Sequence, residues 1–255
     1  MQIRFVTVDV FTDRKFGGNQ LAVVPQAAAL TSEQMQSIAA EFNFAETTFV
    51  LPPQDASHTA EVRIFTPRSE LQFAGHPNIG TAYVLATDSE GYPRALPDPI
   101  LFEEKAGLVR LSLMRQGAAV ARLTPPQSLK SRAALTAAQP RTDVFMADLP
   151  ADRITGVLLY AKDQTGEFDL QARMFAPLYG VPEDPATGSA NVALVGLLAS
   201  LRPAPDLKLH LRIAQGVDMG RPSLLEASAE KKNGKLVGLL IGGRCVPMMR
   251  GTLEV

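Results

Sequence analysis

The chain has 255 residues, 46% of them hydrophobic, with 25 basic and 26 acidic side chains for a formal charge of -1. That length and apolar content can bury a substantial core in one or two globular units, and the balanced charge excludes an overall attraction to nucleic acid or to an anionic membrane. The one cysteine, Cys245, cannot form an internal disulfide, and the longest mainly apolar run, Ala190 to Leu201, falls well short of the roughly 20 residues that span a bilayer, so the chain reads as cytoplasmic.

Met1 to Val6 reads as a strand rather than as the charged lead-in of a signal peptide. Phe5 to Phe11 continues the alternation, and the turn Gly17-Gly18-Asn19 returns the chain into the apolar run Leu21 to Val24, which predicts a hairpin. Thr31 and Gln34 stand at capping-box spacing, and Met35, Ile38, Ala39 and Phe42 then fall on one helical face. Glu46 follows at a helix-to-strand junction, before the β-branched and aromatic strand Thr47 to Leu51.

A pattern then occurs that the chain uses twice. Arg63-Ile64-Phe65-Thr66-Pro67 is followed by Gly75-His76-Pro77-Asn78-Ile79; Arg173-Met174-Phe175-Ala176-Pro177 is followed by Gly188-Ser189-Ala190-Asn191-Val192. In each copy an extended segment ends at a proline, and a glycine turn opens an apolar helix. The helix after Gly188 is apolar on nearly every side, so it must be covered on every side. Each half is therefore expected to be a curved sheet wrapped round its own central helix. Leu123-Thr124-Pro125-Pro126-Gln127 and the Ala-, Gln- and Ser-rich run to Pro140 read as the connection, which divides the chain into residues 1–123 and 124–255. Farther on, Leu207, Leu209, Leu211 and Ile213 alternate with Lys208, His210 and Arg212 in a half-buried strand that leaves His210 in solvent.

Two helix starts carry unpaired N–H groups and positive dipole ends, a natural site for a carboxylate or for an anion that develops during a reaction. Metal binding is not expected, because His58, His76 and His210 are scattered and no ligand spacing occurs. No Gly-rich dinucleotide or phosphate loop is present, and no lysine stands in a recognisable cofactor context, so cofactor-free chemistry remains. Each candidate residue has a structural reading beside the functional one. Glu46 is a solvated junction residue or a base whose pKa partial burial raises. His76 caps a helix or acts in a site, Asp184 before Pro185 is an N-cap or a catalytic carboxylate, and Glu183 is a solvated neighbour. Ser189 lacks the Gly-x-Ser-x-Gly elbow, which favours capping or substrate binding over nucleophilic attack.

Several segments together resemble the phenazine biosynthesis (PhzF-like) family: Phe16 to Val23, Ala45 to Phe49, Arg63 to Pro67, Glu70 to Pro77, Glu183 to Ala190, Gln215-Gly216 and Gly220 to Ser223. The resemblance runs essentially end to end. It implies the α+β fold of diaminopimelate epimerase: two similar halves, each a curved, mostly antiparallel sheet rolled round a central helix, with the active site between them. It also implies roles. Glu46 matches the acid/base that removes a proton from carbon and returns it elsewhere, His76, Asp184 and Ser189 match polar residues that hold and polarise the substrate, and Gly75 and Gly188 match backbone donors. Gln72 and Asn78 stand where Pro and Thr are common in the family, and Ala45 replaces a frequent Ser.

The resemblance implies a cofactor-independent isomerase that shifts a proton on a small carboxylate-bearing substrate, acting as a homodimer, with neither nucleic acid nor membrane as a partner. A racemase or epimerase of the same fold is the alternative, although its usual two thiols are excluded by a single cysteine. A binding module that keeps the fold without turnover is the reading from outside enzymology.

Overall fold

The computed structural model describes residues 1–93, 95–112, 132–148 and 156–255. It divides into two compact units, Met1–Ala119 with Gly242–Val255, and Val120–Ile241. The expected boundary near residue 124 lies outside the described residues.

The first unit begins with β1 (Gln2–Val10) and β2 (Asn19–Val24), antiparallel as the glycine turn predicts. Helix α1 (Ser32–Phe42) has the expected capping box: Thr31 Oγ1 accepts from the Gln34 N–H, and the Gln34 side chain accepts from the Thr31 N–H. Asn43 ends the helix in the left-handed conformation, and the chain turns directly into β3 (Glu46–Leu51). Then come β4 (Ala60–Phe65), the short β5 (Glu70–Leu71), helix α2 (Gly75–Thr87), β6 (Ile100–Glu104) and β7 (Gly107–Leu111).

These strands and the last one, β14 (Cys245–Glu254), form an eight-stranded sheet in the order β14-β1-β2-β3-β4-β6-β7, with β5 on β4. Its pairs are antiparallel except β2 with β3 and β4 with β6. The strand β14 corrects the expected division. It was expected in the 124–255 half but pairs with β1 from Gln2↔Glu254 to Val10↔Cys245. The reason is that β1 would otherwise present an open edge of unpaired backbone groups.

Alternation along the strands sends side chains to two faces, and both are covered. On one face α1 contributes Met35, Ile38 and Ala39 to a cluster with Ile3, Val24, Phe49 and Phe65. On the other lies α2, where Thr48 of β3 is hydrogen bonded to Thr81 at 2.8 Å. Gly80 lets this helix approach closely: a Cβ there would lie 2.5 Å from Leu21 Cδ2, 2.8 Å from Val10 Cγ2 and 3.2 Å from Val8 Cγ2.

The second unit contains α3 (Arg132–Ala137), α4 (Thr142–Asp148), β8 (Val157–Lys162), β9 (Leu170–Ala176), β10 (Val181–Asp184), α5 (Gly188–Ser200), β11 (Leu207–Gln215), β12 (Ser223–Lys232) and β13 (Lys235–Gly242). Its six-stranded sheet runs β10-β9-β11-β12-β13, with β8 on β9. The run to Pro140, read from sequence as a connection, holds α3. Arg173 supplies the reason: its Nη1 donates to the carbonyls of Leu135, Thr136 and Ala138 at 2.9–3.0 Å, satisfying groups that the end of a short helix leaves open.

Helix α5 packs on β11 and β12, as its all-round apolar sequence requires, with Val192, Leu194 and Val195 buried. Its C-terminal end is closed by the buried Lys231, whose Nζ donates to Ala199 O at 3.1 Å and Arg202 O at 2.5 Å. A cation there complements the negative end of the helix dipole. His210 is exposed, as the alternation of β11 predicts.

Gly80→Ala tests the close approach of α2. Alanine gains about 1 kcal/mol of helix propensity, but overpacking against three buried side chains costs about 1–3 kcal/mol. The expected outcome is a net loss of stability in urea unfolding; a stabilised variant would refute the contact.

Candidate active site

Period-two alternation puts Glu46 on the same face of β3 as Thr48, the face that α2 covers. The carboxylate thereby comes to the start of α2, where Glu46 Oε2 lies 3.5 Å from His76 Nε2. The Glu46 side chain keeps 18% of its surface exposed although its Oε2 is buried, whereas His76 is buried as a whole.

Burial controls the charge of His76. It pushes the imidazole down to about 3 from an ordinary value of 6.5, against the opposing effect of a backbone hydrogen bond with Gln20. The ring is therefore neutral at pH 7, and its approach to Glu46 is a polar contact rather than an ion pair. Asn19 at the start of β2 holds the other ring nitrogen, Nδ1, at 3.3 Å. Nε2, on the Glu46 side, makes no hydrogen bond among the described residues.

The start of α2 is itself buried from Gly75 to Asn78, and its N-cap Ala74 has no side chain to offer the first-turn N–H groups. Asn78 sits inside that turn and donates to the Ala74 carbonyl at 3.0 Å.

The second unit repeats the construction at α5. Gly188 opens the helix and is buried, the N-cap Thr187 makes no side-chain capping bond, and Asn191 donates to the Thr187 carbonyl at 2.9 Å. Ser189, second in the helix, is half-buried. Asp184 ends β10; its carboxylate accepts from the Thr187 hydroxyl, and its backbone carbonyl accepts from Gln215 Nε2 at 2.7 Å. Asp184 thus tethers the loop into α5 rather than standing as the helix N-cap.

Gln215 had no role in the sequence reading, yet it organises this loop. Fully buried at the end of β11, it accepts from Asn191 Nδ2 at 2.6 Å and from the Thr187 N–H at 3.3 Å. Asn78 and Asn191 were visible only as repeated letters. Glu183, read as solvated, is bound through both oxygens by Arg173 at 2.7 and 2.8 Å. Arg63 grips Glu70 in the same way at 2.8 and 2.9 Å, and each guanidinium lies over the phenylalanine two residues on, Phe65 or Phe175. The repeated Arg-x-Phe was the available signal, but neither glutamate could be chosen from spacing.

Among the described residues no group of three or more His, Cys, Asp or Glu side chains could hold a metal ion. Nor is any helix among them long and apolar enough to cross a membrane. Cys245 lies in β14, and burial pushes its thiol up to about 12, far from a thiolate at neutral pH.

The family model described as phenazine biosynthesis-like protein matches residues 8–128 and 124–251. The chain belongs to that family. It is 34% identical over 307 aligned positions to a protein of Mesorhizobium japonicum named as an uncharacterized isomerase, covering 100% of both chains. It is 32% identical over 289 positions to trans-2,3-dihydro-3-hydroxyanthranilate isomerase of Pseudomonas aeruginosa, covering 97% of this chain and 98% of the relative. The crystal structure of a Bacillus anthracis PhzF family protein superposes with a TM-score of 0.85 at 21% identity, covering 100% of each chain. The family's α+β fold is the one expected from the duplicated motif.

A neutral buried His76 makes stability depend on pH in a defined direction. Between about 6.5 and about 3 the unfolded chain takes up a proton that the native ring refuses. Stability contributed at neutral pH is therefore lost as pH falls through that window, by up to about 1.4 kcal/mol per pH unit. Urea unfolding of wild type and His76→Gln at pH 7, 6 and 5 should show a smaller acid loss in the variant; parallel curves would contradict a neutral ring.

Proposed function

We propose that this protein is a cofactor-independent isomerase that moves a proton between carbons of a small carboxylate-bearing substrate. The observation that carries the reading is the Glu46 carboxylate 3.5 Å from an imidazole that burial keeps neutral, beside a buried helix start without a side-chain cap. A base, a neutral hydrogen-bond donor and unpaired N–H groups are the parts needed to make and stabilise a carbanion or enolate.

In the first step a Glu46 oxygen takes a proton from a carbon activated by the substrate's unsaturated or carboxylate-conjugated system, and the C–H electron pair moves into that system. The negative charge grows against the neutral imidazole of His76 and the N–H groups at the start of α2. In the second step the protonated Glu46 returns the proton to a different carbon, and a double bond has moved with no net change in composition. We assign Asp184 and Ser189 to holding and polarising the substrate, and Gly75 and Gly188 to backbone donation. A neutral His76 suits this role, because a strongly acidic imidazolium would itself compete to lose its proton.

The relatives named as isomerases support the reaction class, and the trans-2,3-dihydro-3-hydroxyanthranilate isomerase supplies the first compound to try. A thiol-based epimerase is disfavoured, since Cys245 is the only cysteine and its thiol is held protonated by burial.

The test is proton NMR in D₂O with trans-2,3-dihydro-3-hydroxyanthranilate and a panel of cyclic and unsaturated amino and hydroxy acids. Double-bond movement is the expected result, with deuterium entering at the acceptor carbon to the extent that protonated Glu46 exchanges with solvent. Glu46→Gln should lower the rate by about 10²–10⁴-fold or more while leaving the circular dichroism and melting temperature nearly unchanged. Inversion at a stereocentre without double-bond movement would favour an epimerase. Compounds that bind without either change would favour a non-catalytic module, and a Glu46→Gln variant of near wild-type rate would remove Glu46 from the mechanism.

A further inference from the structure

Behind the first turn of α2 lies a carboxyl group that the proposed reaction does not use. Glu104 ends β6, and the tight turn after it ties this hairpin to the segment leading into α2, through the Ala106 N–H donating to Gln72 O at 3.0 Å. Both Glu104 carboxyl oxygens are buried with no aligned hydrogen bond among the described residues. Among the described residues the side chain beside them is Asn78, whose amide favours the charged form of this carboxyl, and the Asn78 Oδ1 is also buried without an aligned partner. Asn78 Nδ2 is already directed to Ala74 O.

Buried acceptors without an aligned donor are an unfavourable arrangement in a dry interior. One proton resolves it. A protonated carboxyl supplies an O–H, and the buried Asn78 Oδ1 is an acceptor for it on the neighbouring side chain. We propose that Glu104 is a positioning residue: as a neutral carboxylic acid it donates to Asn78 Oδ1 and so fixes the turn of α2 that carries His76.

Burial favours the same state, pushing the Glu104 carboxyl up to about 8, with Asn78 opposing the shift. Among the described residues, the charged groups on the neighbouring strands are committed elsewhere. Arg63 and Lys105 are both bound to Glu70. Glu103 is held by His58 and by the backbone N–H groups of Gln54 and Asp55, and Glu61 accepts from Gln54. Arg110 on β7 is exposed. On α2, His76 titrates near 3 and Tyr83 is raised above its ordinary 10, so neither changes charge near pH 8.

When Glu104 ionises, its O–H is lost and a negative charge appears beside the first turn of α2. The Asn78 Oδ1 loses its donor while the amide nitrogen, with two N–H groups, serves the carboxylate as well as Ala74 O, and the helix start becomes less attractive to a substrate carboxylate.

Only three histidines occur in the chain, so His76 is readily followed by NMR of protein labelled at histidine rings. The expected result is a step in the His76 ring signals with a midpoint near pH 8, in a ring that does not itself titrate there, together with loss of the infrared band of a protonated carboxyl over the same range. Glu104→Gln keeps a donor for Asn78 Oδ1 and should abolish both changes. Absence of the step in wild type, or its persistence in Glu104→Gln, would overturn the proposal. Should that variant fail to fold, the wild-type infrared titration decides, since an ionised Glu104 at pH 7 is incompatible with the inference.

The functional consequence rests on the isomerase reading; the NMR and infrared arms do not. If turnover is found, kcat/KM should fall by about 3–10-fold above pH 8 in wild type and stay flat in Glu104→Gln. Failure of the D₂O experiment with the ring step intact would remove the proposed reaction and leave the Glu104–Asn78 bond standing.

Discussion

Helix α2 is enclosed by a sheet, and from this the chemistry follows. Because the helix is apolar and closely seated through Gly80, its N-terminal turn is buried along with its core. A helix start in water has its N–H groups solvated; a buried one keeps them oriented and unscreened. Charge on any neighbouring side chain is then decided by the cost of taking it out of water. His76 loses its positive charge to that cost and Glu104 its negative one, while Glu46, on the partly open side, keeps access to solvent. The candidate site therefore combines one partly exposed glutamate with groups that burial drives to neutrality behind it.

The two units solve the same problem with the same residues. In each, an arginine grips a glutamate through Nε and Nη2 and covers a phenylalanine, which ties the strand before the helix to the segment that leads into it. In each, an asparagine on the fourth helical residue donates back to the N-cap carbonyl. The copies diverge around that asparagine. Asn191 is met by Gln215, an amide able to donate and accept at once, whereas Asn78 is met by Glu104, which completes the arrangement only when protonated.

Much of the fold was legible in the sequence because local rules and burial agreed. Thr31 and Gln34 announced α1, the glycine turn announced the β1–β2 hairpin, and the repeated Gly-x-x-Asn announced both central helices. Two features were not legible. The last strand crosses to the first unit because β1 has an edge to fill, a matter of sheet order that no local pattern encodes. Helix α3 is short and weakly patterned, and its carbonyls are satisfied by an arginine about 35–38 residues away.

The candidate site divides in the same way. By itself the sequence determined which residue types were available: one glutamate at a strand start, a histidine and a serine at paired helix starts, a single cysteine, and a family whose relatives are named as isomerases. Only the tertiary structure decided their chemical state. That His76 is neutral, that Glu104 is buried beside Asn78 without an aligned hydrogen bond, and that Gln215 holds the loop of Asp184 depend on which surfaces exclude water and which side chains meet across elements far apart in the chain. Burial and long-range contact are sums over the whole packed unit, so no window of sequence contains them.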